Sequence, residues 1–189
     1  MAAMIARRHL IALSLLLAGC APGVERGPER PPDRVVEQRV NELPARRSEA
    51  LLRRTMLTAH DRARADVGLP PLVWDEALVT TALGYAREMA RTGRFEHAAQ
   101  PHGPTREGEN LWTGTRNAYA YDEMIGYWVA EKRDFVNGAT PMFSRTGRWQ
   151  DVAHYTQIVW RRTTRVGCAF ASNARDDFSS AATAQAATW

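Results

Sequence analysis

Residues 154–171 read His-Tyr-Thr-Gln-Ile-Val-Trp-Arg-Arg-Thr-Thr-Arg-Val-Gly-Cys-Ala-Phe-Ala, and this stretch decides the fold class. His154 to Trp160 is rich in β-branched and aromatic residues, which suit a pleated, half-buried surface, so a strand is expected there. Arg161 to Arg165 supplies a turn, and Val166 to Ala171 a second strand. Upstream the period changes. Leu52, Met56, Ala59, Ala63 and Val67 recur every three or four residues, the inner face of a helix opened by Ser48 and stopped by Gly68, Pro70 and Pro71. Asp75 is placed to cap a second helix, with Leu78, Ala82, Tyr85 and Met89 inward and Gly93 as its stop. A third helix is expected from about Ala118 to Arg133, with Tyr121, Met124 and Trp128 inside, and Glu109 to Trp112 is expected to add a short strand. Helices mixed with an antiparallel sheet, lacking a βαβ rhythm, specify an α+β layered domain.

The ends of the chain carry different signals. Arg7, Arg8 and His9 precede the apolar run Leu10 to Leu17, which is too short to span a bilayer. Leu17-Ala18-Gly19-Cys20 then places small residues before a cysteine. This describes residues 1–19 as a lipoprotein signal peptide, with Cys20 as the lipid-bearing first residue of the mature chain. Export to the cell envelope follows, with the membrane as a partner through that anchor; Ala21, rather than Asp, favours the outer membrane. Residues 20–47 hold Pro22, Pro28, Pro31, Pro32 and Pro44 among many charges, a composition that reads as a tether. The folded domain is expected over 48–178. The net charge is +4, and about +2 once Arg7 and Arg8 leave with the signal, too mild for a nucleic-acid partner.

Four segments hold groups suited to chemistry: Phe95-Glu96-His97, Gly108-Glu109-Asn110, Trp128-x-x-Glu131 and His154-Tyr155-Thr156-Gln157. Their His and Glu side chains fall at the ends of expected elements, where a scaffold presents polar groups to a cleft. Taken singly, each is as well explained by a structural hydrogen bond.

Together these strings resemble the CAP superfamily of cysteine-rich secretory proteins, antigen 5 venom allergens and pathogenesis-related proteins of plants. The resemblance also takes in His60 to Arg64, Gly68, Leu72-x-Trp74-Asp75 and Val166-Gly167-Cys168, and covers about residues 50 to 171 in the family's order. It implies a three-layer α-β-α sandwich with an antiparallel sheet, and a cleft lined by His97, Glu109, Glu131 and His154. Some members of the family bind zinc or another divalent ion there, so His97 and His154 are the candidate ligands, with the carboxylates as hydrogen-bond acceptors or as bases for a bound water; an imidazole–carboxylate pair could also do acid–base work unaided. No catalytic residue is assigned. Binding is favoured over catalysis, because the fold does not fix a reaction. The alternatives are a metal-assisted peptidase or esterase at the same tetrad, a purely structural network, and lipid or sterol binding in a separate groove, with Pro141-Met142-Phe143 as a candidate lining. Two departures stand out. Ala98 replaces the family's usual Ser, and Asp61 its usual Asn. Without the serine, and with no nucleophile context around Ser48 or Ser144, a hydrolase triad has no support.

The ending departs further. Family members close with a strand like Val-Cys-x-Tyr-x-Pro-x-Gly-Asn, whereas residues 179–189 are an Ala/Thr/Ser tail without a strand pattern. Codons for Phe178 to Trp189, read from the third base of each, spell Leu-Val-Cys-Arg-Tyr-Ser-Pro-Gly-Gly-Asn-Val when the free bases are chosen as a GC-rich gene would supply them. The tail is therefore expected to be a frameshift product. The domain would lack its closing strand, Val166 to Ala171 would keep a bare edge, and Cys168 would lose a disulfide partner in the neighbouring strand.

Overall fold

A computed structural model describes residues 43–101, 103, 106–140 and 142–184. The signal segment, Cys20, most of the tether, Pro141 and residues 185–189 lie outside them. The elements run α1 (Glu49–Ala65), β1 (Val73–Trp74), α2 (Glu76–Thr92), β2 (Gly108–Thr115), α3 (Tyr121–Ala130), two 3-10 turns (Glu131–Asp134 and Trp149–Val152), α4 (Ala153–Ile158), β3 (Arg165–Ser172) and β4 (Asp176–Thr183). The expected caps form. Ser48 Oγ accepts from the Leu51 amide, Asp75 accepts from Ala77 and Leu78, and Gly93 ends α2 at φ 69°.

The sheet is open, in the order β1-β3-β4-β2, with β1 parallel to β3 and the other pairs antiparallel. Its side chains alternate between two layers, as the pleat requires. Val166, Cys168, Ala181 and Trp112 join α1, α3 and α4 in the main core, whereas Ala169 and Ala182 meet Leu78 and Ala82 of α2. Gly167 lets α2 lie directly on β3: a Cβ there would fall on the Leu78–Val79 backbone. The expected α+β sandwich is thus the fold observed.

Three expectations change. His154 to Trp160 is not a strand. Its first part belongs to α4, because Val152, Tyr155 and Ile158, three residues apart and fully buried, form a helical stripe that outweighs the β-branched composition. In α1 the inner face holds Leu52, Met56, His60, Ala63 and Arg64, while Val67 lies past the helix end and is exposed. The tail is the third. Residues 176–183 form β4, paired to β3 on one side and β2 on the other, so β3 has no bare edge along this pairing. Main-chain hydrogen bonds from two neighbours hold this run of small residues extended despite its low strand propensity.

The register sets Cys168 opposite Ala181. The Cys168 thiol is buried, which pushes its pKa up and leaves it inert. Paired antiparallel residues have Cα atoms about 4.5–5.5 Å apart, inside the range a cystine needs. Ala181→Cys is therefore expected to form a disulfide with Cys168 on oxidation, seen as the loss of two hydrogens by intact mass. The gain for so short a loop is about 3 kcal/mol at most.

Candidate functional site

The candidate site consists of two imidazole–carboxylate pairs. After Gly93 the chain enters a segment without helix or strand that carries His97. Glu109, the second residue of β2, accepts from His97 Nδ1 at 2.8 Å and from the Ala98 amide at 3.1 Å through the same Oε1. The second pair lies across α3 and α4. Glu131 follows Trp128 by three residues, so both project from one side of the end of α3. Its Oε1 accepts from His154 Nδ1 at 2.5 Å, and its Oε2 from the Tyr155 amide at 3.0 Å. The Trp128 ring stacks on His154, with centroids 6.1 Å apart and planes at 14°, while its indole N–H donates to the Leu111 carbonyl. Asn110, beside Glu109, donates to the His154 carbonyl at 3.1 Å and so joins the two halves.

The four expected residues therefore come together as pairs, His97 with Glu109 and His154 with Glu131. Both carboxylates are largely shielded, at 9 % and 18 % exposure, whereas the His97 ring is 65 % exposed and the His154 ring 30 %. With Nδ1 donating to a carboxylate, the neutral imidazole keeps its lone pair on Nε2. This is the arrangement of a metal-ligating histidine, whose second nitrogen is fixed by a carboxylate. Among the described residues, no group of three or more His, Cys, Asp or Glu side chains is placed to hold a metal ion.

The two departures from the family pattern have little consequence here. Ala98 contributes its main-chain N–H to Glu109, which needs no hydroxyl. Asp61 Oδ1 accepts from the Leu72 amide at 2.8 Å, and an asparagine carbonyl would serve equally. Ser48 is occupied as the α1 cap and Ser144 bonds Thr146. In the loop proposed as a lipid lining, Phe143 is in the core and Met142 is exposed. A different groove lies between α1 and α3, of about 610 Å³. Ala59, Ala63, Ile125 and Val129 supply its apolar surface, with Arg54 and Arg62 also lining it. The sequence reading missed this feature, because it depends on how two helices pack.

Residues 57–185 match the model of the cysteine-rich secretory protein family, CAP. Pathogenesis-related protein 1C of Nicotiana tabacum is 37% identical over 113 residues, covering 60% of this chain and 62% of that protein, so the chain spans less than two thirds of that relative's length. Among solved structures, NaASP2 with Zn2+ superposes with a TM-score of 0.57 at 20% identity, covering 74% of this chain and 82% of that one. An outer surface protein from Borrelia burgdorferi gives 0.50 at 12% identity, covering 76% of this chain and 99% of that one. At such identities these structures speak to the fold alone.

Proposed function

Because the chain belongs to the cysteine-rich secretory protein (CAP) family, we propose that it is a binding module whose cleft takes a divalent metal ion on Nε2 of His97 and His154. One observation carries this reading: a carboxylate engages Nδ1 of each ring, which leaves both Nε2 atoms as ligands of fixed orientation. NaASP2 has a structure with Zn2+, and zinc is the natural first probe here. Glu109 and Glu131 would hold the rings in place. A bound ion would supply Lewis acidity to a small ligand in the cleft.

The test is zinc titration of the wild type and of the His97→Ala/His154→Ala variant. The reading expects zinc uptake in the first and none in the second, with both folded. A purely structural tetrad predicts lower stability in the variant and no zinc uptake in either protein. Zinc-dependent turnover of peptides or esters by the wild type alone would establish the hydrolase alternative.

The α1–α3 groove supports a second reading, binding of an acyl chain along its apolar surface with Arg54 or Arg62 meeting the carboxylate. Displacement of a fluorescent fatty acid, weakened by Ala59→Trp and unaffected by the double-histidine change, would separate this site from the tetrad.

The module is placed in the cell envelope by lipid attachment at Cys20. Cys20→Ala is expected to abolish incorporation of labelled palmitate and move the protein from the membrane to the soluble fraction. Retention in the membrane without the label would contradict the anchor.

A further inference from the structure

The segment that carries His97 is held at one more point, and we infer that Tyr85 is a positioning residue that fixes His97 over the cleft. Tyr85 stands on α2, and its hydroxyl donates to the Glu96 carbonyl at 2.5 Å, the peptide unit that leads into His97. From the other side, Glu109 takes the His97 ring and the Ala98 amide. Three consecutive residues are thus pinned by two elements, α2 and β2. This matters because the described residues from 93 to 107 form no helix or strand, and the His97 ring is mostly exposed. Packing alone does not set its place. Phe95 packs into the core just before it, and the Tyr85 hydroxyl is the contact that holds the Glu96 peptide itself.

Tyr85 is a firm support. Its ring packs with Phe95 against Met89, Leu111 and Phe178, so the hydroxyl is carried by a helix and a core cluster rather than by a loop. Burial, with the nearby Glu109, Glu96 and Glu88 carboxylates, pushes the phenol up to about 12, so it stays a donor throughout the physiological range.

The inference rests on the metal-binding reading of the cleft, and one variant separates the two. Tyr85→Phe keeps the ring and deletes the hydroxyl. In the purified protein its zinc affinity, read by competition with a chromogenic chelator, is expected to fall about tenfold, as loss of an outer contact to a ligand does. The Ala98 amide should exchange several-fold faster with solvent while amides within α2 and β2 keep their protection. The melting temperature should fall by no more than a few degrees. A zinc-binding wild type whose Tyr85→Phe variant binds equally well would overturn the role of Tyr85, as would an Ala98 amide as protected as before. A lowered melting temperature with both other readouts unmoved marks an ordinary structural contact, and also overturns it. If the wild type takes up no zinc, the metal reading fails by itself, and Ala98 exchange still decides whether Tyr85 holds the segment.

Discussion

Arg64→Ala is expected to cost about 4 kcal/mol of stability, the largest effect of any single change considered. The Arg64 side chain is fully buried and has no carboxylate partner among its hydrogen bonds. Its guanidinium instead donates to four main-chain carbonyls: Pro70 at 2.8 Å, Ile158 and Trp160 at 3.0 Å each, and Thr163 at 2.9 Å. Pro70 belongs to the turn after α1; the others span the end of α4 and the loop into β3. One side chain therefore ties together three stretches. Removing it relieves the desolvation of a charge, but takes the donor from the Pro70, Ile158 and Thr163 carbonyls and opens a cavity, while the Trp160 carbonyl keeps the Thr163 amide. The second effect wins, because three carbonyls lose their donor at once. Arg64→Lys should lose nearly as much, since an ammonium is a compact donor that cannot reach four separated acceptors. Urea unfolding measures both. A loss below about 1 kcal/mol for the alanine variant would contradict this account.

The second large effect is acid sensitivity from His60. This ring is fully buried one turn before Arg64; its Nδ1 donates to the Met56 carbonyl at 2.8 Å, and its Nε2 has no partner among the described residues. Desolvation dominates and lowers the pKa from 6.5 to about 4; the Met56 hydrogen bond and Asp61 oppose this, while Arg64 adds to it. Protonation would bury a charge and an N–H without an acceptor. The direction follows from proton counts. Between about 6.5 and about 4 the unfolded chain binds the proton and the folded chain does not. The contribution is thus fully present above about pH 6.5 and is lost as pH falls through that window. A separation of about 2.5 units is worth about 3 kcal/mol. Unfolding free energies at about pH 7 and about pH 4.5 should differ by about 2–3 kcal/mol in the wild type and by less than about 1 kcal/mol in His60→Gln. Equal slopes in the two proteins would remove His60 as the cause.

Both residues show where reading the sequence stops. The caps at Ser48, Asp75 and Gly93 were legible because each is a local interaction within a few residues. So was the inner stripe of α3, where apolar periodicity and burial coincide. His60 and Arg64 escaped, because a polar side chain on the inner face looks like a break in the pattern until its distant acceptors are known. The region from His154 failed for a related reason: its composition favours a strand, while the three-residue spacing of Val152, Tyr155 and Ile158 that settles the helix is a weaker sequence signal. β4 could not be foreseen from Ser179 to Thr183, whose extended form comes from the strands on either side. The four cleft residues were indicated by the family resemblance. Their division into pairs twelve and twenty-three positions apart required the fold.

The central claim is that the Nε2 atoms of His97 and His154 are ligands while their Nδ1 atoms stay bound to Glu109 and Glu131. Long-range proton–nitrogen spectra of the imidazoles, recorded as zinc is added, test it most directly. The Nε2 resonances of both rings are expected to shift together and saturate at one zinc per chain, with both Nδ1 protons retained. Zinc that perturbs neither ring, or that displaces the Nδ1 protons from the carboxylates, would contradict it.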